Sequence, residues 1–405
     1  MKRLRFLVCF IFYFFCVTSM YAQKKEISVA KEQVKTGSNL GQAQASMEKL
    51  LKDSANHRNR KIWNVLYESI RKQYEQGNEK LYLKQTYDTA TLFSLTRQLF
   101  SVAQKTDSVE MIPDAKGKCH FEFRKQHAEY LEKIRPNLYT GGLWLVRKQK
   151  YMDAYSLLDQ YLKCASMPLF STCNYRESDK LIPSAAYWAV YCGYKMKNPK
   201  ATFRHSYEAL KDTAHYVYML QYLAETYKLE KDTARYVKSL KEGFAHAPMF
   251  PFFFPRLVEN YVERNELDSA LVVVDRALSL APENITYLYT KSTLLLNQGK
   301  NEESFAISEK LLSRNDSLPE IYFNAGIACF NRAVLLDKKT QLSRKKNVEI
   351  DKLYRKALPY LEKYRELQPS EVDKWSLPLY TIYLNLNMGD EFDNIDKIIS
   401  KNKRK

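Results

Sequence analysis

Apolar residues along this chain recur at intervals of three and four. Ile62, Leu66, Ile70 and Tyr74 form one such stripe, and Leu92, Leu95, Leu99 and Val102 form another. That spacing puts each set on one face of a helix with 3.6 residues per turn. Strand-like alternation is absent, and no Asn-Gly or Asp-Gly hairpin signal occurs. Short polar stretches, Gln76-Gly77-Asn78 and Asn297-Gln298-Gly299-Lys300, are predicted turns. The pattern predicts an all-α chain of paired antiparallel helices.

The first apolar run is of another kind. Phe6 to Val17 is unbroken, follows Lys2, Arg3 and Arg5, and leads through Thr18-Ser19 to Met20-Tyr21-Ala22. Residues 1–22 therefore read as a cleaved secretory signal. The run is shorter than the ~20 residues a membrane span needs. An uncleaved N-terminal anchor is the alternative. Cys16 follows Phe14-Phe15, where lipid attachment wants small residues, so a lipoprotein is not expected. No later segment is long and apolar enough to span a membrane. The mature chain is expected to be soluble and exported: periplasmic, outer-membrane associated or secreted.

Composition narrows the classes. Only 11 of 405 residues are glycine, which argues against large β-barrels, glycine-rich nucleotide loops and long flexible linkers. A hydrophobic fraction of 45% excludes wholesale disorder. The net charge is +18, or +15 once the three charges of the signal are removed. Such a chain suits an anionic membrane surface or acidic partners. Export separates it from nucleic acid, which is not an expected partner. The basic ending, Lys401-Asn402-Lys403-Arg404-Lys405, is expected to be a solvated tail.

Internal repetition is the strongest long-range signal. Phe254, Leu257, Val258 and Tyr261 are followed by Ala270, Val274, Ala277 and Pro282. Pro248 lies 34 residues before Pro282, and Leu220, Leu223, Ala224 and Tyr227 repeat the first half upstream. Downstream, Leu288, Leu295, Gly299, Ser304 and Leu311 keep the phase. Tyr322, Ala325, Gly326 and Cys329 open a further unit, closed by Ala357, Leu361, Tyr364 and Pro369 after an inserted stretch at about 331–353. Both helices of that pair are expected to be extended and to protrude.

These spacings resemble the tetratricopeptide repeat, most clearly over residues 213–369. Residues 136–212 hold weaker helix pairs, marked by Leu138, Gly142, Leu145, Ala154 and Leu158 and by Tyr187, Tyr191 and Tyr207. Residues 23–135 are expected to be a helical N-terminal region, either degenerate repeats or a subdomain ending near Pro136. Residues 370–405 would supply capping helices and the tail. The resemblance implies a right-handed α-solenoid of antiparallel helix pairs. It further implies a concave groove lined from the first helix of each pair by Gln221, Glu225, Glu259, Val262, Tyr289, Thr293, Leu296, Phe323 and Ile327. One subfamily grips a C-terminal carboxylate with Lys and Asn at such positions. Those residues are absent here, and that clamp is not expected. The aromatics could equally serve packing between repeats. Pro251-Phe252-Phe253-Phe254-Pro255 reads as a turn and a core-packed helix start.

Chemistry-bearing motifs are scarce. There is no Gly-x-Ser-x-Gly, His-Glu-x-x-His, Cys-x-x-Cys or phosphate-binding glycine loop. His120 and His127 are spaced for one helix face, but further metal ligands are missing, and a solvated face is expected. Five cysteines follow the signal: Cys119, Cys164, Cys173, Cys192 and Cys329. Cys164 and Cys173 are either a local disulfide or buried free thiols. Asp-Ser/Thr followed by an apolar residue recurs at Asp53, Asp88, Asp107, Asp212, Asp232, Asp268 and Asp316. The tripeptide resembles an acceptor for O-glycosylation of exported proteins in some Gram-negative bacteria. Several of these sites fall at expected helix starts, where N-capping is the first account of them. The expected function is a non-enzymatic, cofactor-free scaffold that binds an envelope protein or peptide. A surface glycan-binding protein, or an enzyme with an unrecognised site, are the alternatives.

Overall fold

The described residues of this computed structural model are 23–314, 318–338 and 344–402. The expected signal, Asp316-Ser317 and the final three residues lie outside them. Helix follows helix. The first unit holds α1 (23–36), α2 (Leu40–Leu50), α3 (Arg60–Tyr82), α4 (Thr89–Glu110), α5 (Arg124–Ile134) and α6 (Pro136–Arg147). It continues with α7 (Tyr151–Lys163), α8 (Tyr175–Ser178), α9 (Ile182–Lys195), α10 (Pro199–Arg204), α11 (Ser206–Ala209) and α12 (Tyr216–Leu229). A second unit, from Ala234 onward, carries α13 (Thr233–His246), α14 (Phe253–Glu263), α15 (Leu267–Leu280), α16 (Ile285–Asn297) and α17 (Asn301–Leu312). It ends with α18 (Pro319–Lys338), α19 (Arg344–Leu367), α20 (Val372–Asn385) and α21 (Gly389–Asn402). No strand occurs among the described residues. No described helix is long and apolar enough to cross a membrane.

Successive helices pack as neighbours, α6 on α7 and α3 on α4 in the first unit, α16 on α17 and α18 on α19 in the second. The predicted stripes face inward: Ile62, Leu66, Ile70, Tyr74, Leu95 and Leu99 are buried in one core that runs from Ala30 to Leu223. Residues on both sides of Pro136 share that core. Phe305, Cys329, Tyr354, Leu361, Trp375 and Ile395 belong to the main core described for the second unit. Ala270 is fully buried, and Phe252, Phe253 and Phe254 are all in the interior. The inserted stretch lengthens α18 and α19, and Ala333, Ile350 and Leu353 are buried along that hairpin.

The turns carry the repeat more plainly than the side chains do. After α9, α12, α14 and α16 the chain reverses through a left-handed residue: Lys197, Lys231, Asn265 and Gly299. In each turn the next amide donates back five residues: Asn198 to Gly193, Asp232 to Tyr227, Glu266 to Tyr261 and Lys300 to Leu295, at 2.8–3.0 Å. This is the six-residue bond of a Schellman cap, which satisfies otherwise unpaired helix carbonyls. The four acceptors stand 34 residues apart (227 − 193, 261 − 227, 295 − 261). The pair beginning at α9 is thus in phase with the clearer repeats.

One predicted turn is not a turn. Gln76-Gly77-Asn78 lies inside α3. Glycine is required there for space: a Cβ on Gly77 would meet the Tyr87 ring at 2.5 Å.

Candidate functional site

The expected groove positions divide by unit. In the second unit, Tyr289, Thr293 and Leu296 sit at i, i+4 and i+7 of α16, and Phe323 and Ile327 at i and i+4 of α18, which sets each group on one helix face. All five are half-buried. Asn324 ties the two helices by donating to the Thr293 hydroxyl at 2.9 Å. Beneath lies a network invisible to hydropathy: Ser292 Oγ is 2.7 Å from Ser308 Oγ and 3.1 Å from Ser304 Oγ, all three buried. Buried hydroxyls must be paired, so these bonds fix the register of α16, α17 and α18. Phe323 packs against Tyr364 with tilted rings whose centroids are 5.0 Å apart, and Tyr289 packs on the Leu288–Leu311–Ile321 cluster. Their rings therefore serve packing while keeping an accessible edge. One helix pair earlier, Glu259 and Val262 on α14 are exposed.

In the first unit, Gln221 and Glu225 are half-buried on α12. The Glu225 carboxylate accepts from the Tyr194 hydroxyl and borders a cleft of about 320 Å³ with Lys195, Lys197, Asn198, Thr226 and Leu229. An aromatic wall adjoins it: Tyr194 stacks on Tyr222 at 4.6 Å, Tyr191 lies 5.6 Å from both Trp188 and Tyr222, and Lys195 stands over the Tyr191 ring. Burial pushes the Tyr191 hydroxyl up to about 12, so it stays a hydrogen-bond donor. The spacing Trp188, Tyr191, Tyr194 was the available signal for this wall.

The cysteines and histidines hold structural places. Cys164 and Cys173 are free thiols, and no disulfide joins them; Cys164 donates instead to the Gln160 carbonyl at 3.2 Å. Burial pushes the Cys164 and Cys192 thiols up to about 12 and that of Cys329 up to about 11, which withholds the thiolate needed for nucleophilic attack. His120 and His127 do not share a helix face. His120 lies in the loop before α5 and contacts Asp114 at 2.8 Å, whereas His127 is buried on α5 against Tyr67, with ring centroids 3.8 Å apart. The expected solvated face is wrong for His127 because α5 turns it under α3. Burial, with the nearby Arg71 charge, lowers its titration to about 4. Among the described residues no group of three or more potential ligands gathers as a metal site.

Two ion clusters, each around a largely buried aspartate, brace the first unit. Arg135 meets Asp179 at 2.7 Å between the Tyr161 and Tyr175 rings, and the Tyr161 hydroxyl donates to the same carboxylate. Asp159 gathers His205, Lys163 and Arg204. Burial opposes ionisation of both aspartates, yet their donors hold each below the ordinary carboxylate range.

No known family profile and no curated protein matches this chain. Among solved structures, the chain is similar to the C-terminal part of a tetratricopeptide repeat-containing protein from Cytophaga hutchinsonii, at 10% identity and TM-score 0.43, over 64% of this chain and 93% of that one. MamA of AMB-1 aligns at 15% identity and TM-score 0.33, over 47% of this chain and 94% of that one. The tetratricopeptide domain of P58(IPK) aligns at 11% identity and TM-score 0.25, over 95% and 100%. The all-α, paired-helix fold described above stands on this chain's own turns and cores rather than on these alignments.

Proposed function

We infer that this chain is a non-enzymatic interaction scaffold of the bacterial cell envelope, exported by its N-terminal segment. The observation that carries the reading is the α16–α18 face. Tyr289, Thr293, Leu296, Phe323 and Ile327 offer accessible apolar edges on two helices locked in register by the Asn324 bond. A rigid aromatic surface of this kind suits burial of apolar anchors from a partner protein or peptide, with polar contacts setting register. Glu259 and Val262 extend the candidate surface on α14, and Gln221 and Glu225 offer a separate patch on α12. The protonated, buried cysteines support a binding role over thiol catalysis. Photo-cross-linking in the native envelope, from a reactive side chain at Val262, tests the reading. A defined envelope-protein adduct supports it, and adducts no different from those formed at Val272, exposed on α15, contradict it.

A further inference from the structure

Forty-five of the 405 residues are Ser or Thr, one in nine, so chance places two of them after the eighteen aspartates. Seven are found there, and each of the seven is followed by Ala, Val or Leu. Packing explains two of these seven. Asp107 is buried against Arg124 and Ser108 donates to the Gln104 carbonyl at 2.8 Å within α4, so that copy is part of the packing. Ala270 is fully buried at a helix crossing, which explains the copy at Asp268.

The copies at Asp53 and Asp212 have no such explanation, and Thr233 and Ala234 after Asp232 are exposed as well. Asp53 accepts from the Ala55 amide at 3.0 Å, and Asp212 accepts from the Ala214 amide at 3.1 Å and contacts His215 Nδ1 at 3.0 Å. The carboxylate alone completes each turn. The Ser54 and Thr213 hydroxyls are exposed and have no hydrogen-bond partner among the described residues. Ala55 and Ala214 are exposed too, so burial does not call for an apolar residue at either place. Capping therefore accounts for the aspartate but for neither of the two residues after it.

We propose that Ser54 and Thr213 are acceptors for an O-linked neutral sugar, each in an exposed inter-helix turn. The substituent's class follows from the adjacent carboxylate. A phosphoryl group would bring ~1.5–2 negative charges beside an ionised aspartate, at a repulsive cost, whereas a neutral polyol brings none. The exposed alanine leaves room for a bulky group over the turn. In the transfer, the hydroxyl oxygen bonds to the anomeric carbon of a pyrophosphate-activated sugar. The bond from that carbon to the phosphate oxygen breaks, the phosphate leaves with the electron pair, and the hydroxyl proton passes to a base of the transferase. The aspartate stays ionised as the recognition handle.

The test is the intact mass of the full chain purified from its own cells, with peptide mapping by electron-transfer fragmentation. The expected result is a mass excess in whole sugar units mapped to Ser54 and Thr213. The double variant Ser54→Ala with Thr213→Val should lose it with unchanged helical circular dichroism, and Asp212→Asn should lose the Thr213 share. Ser108→Ala should keep the full excess. No excess, an excess removed by phosphatase, or one that survives the double variant overturns the proposal.

Discussion

His127 and the Arg135–Asp179 pair are where single side chains carry most consequence. The folded pKa of His127 lies near 4, below the ordinary ~6.5, because the charged ring is excluded from a buried site. The unfolded chain therefore binds the proton first. Stability from this group is fully present above pH ~6.5 and falls as pH drops toward 4, by up to roughly 3 kcal/mol. A urea midpoint that declines between pH 7 and 4.5 in the native chain, and declines less in His127→Phe, is the expected result. Asp179→Asn should cost about 3–5 kcal/mol, since it strands the Arg135 charge between two aromatic rings. Thermal unfolding measures this, and a loss under 1 kcal/mol would show the pair to be solvated. Neither site was legible in the sequence: the partners lie tens of residues apart, and hydropathy scores His and Arg as surface. The expected groove positions were legible as places on helices, but the half-burial of Phe323 depends on Tyr364, which arrives from the lengthened hairpin.

At the scale of the element, helix existence was plain from three-and-four spacing and from stop signals such as Pro248 and Pro282, each two residues past a helix end. The 34-residue turn was less plain, because its left-handed position is Lys, Lys, Asn and Gly in successive copies. A left-handed L-residue costs ~1 kcal/mol that glycine avoids. Gln149, in the equivalent turn after α6, is a clean test: Gln149→Gly should raise stability by up to about 1 kcal/mol, read as a higher denaturation midpoint. Lost stability would mean that the Gln149 side chain does more than close the turn. Close crossings act the other way. A Cβ on Gly193 would meet the Thr202 backbone nitrogen at 2.5 Å, and backbone cannot move aside as a side-chain tip can. Gly193→Ala should destabilise by about 1–3 kcal/mol through separation of α9 and α10. The mistaken turn at Gly77 has the same root: glycine marks close approach as readily as it marks a turn, and only Tyr87, ten residues later, tells which.

For the whole molecule, scarcity of glycine and abundance of Tyr and Phe have one cause. Stacked helix pairs need glycine only at reversals such as Gly299 and at crossings such as Gly193, while aromatic rings fill the spaces between neighbouring helices. Those rings also give the α16–α18 face and the Tyr191–Tyr194–Tyr222 wall their accessible edges, so packing and the proposed binding draw on the same residues. A partner held on the α16–α18 face is the proposal on which the functional reading turns. Its most direct test is photo-cross-linking in the native envelope from Val262, comparing the native chain with Tyr289→Ala/Phe323→Ala at matched helical content. One dominant adduct with an envelope protein is expected, reduced at least tenfold in the double variant, as follows when ~1.4 kcal/mol or more of apolar contact is lost. An adduct of equal yield in the double variant, or none in the native chain, contradicts it.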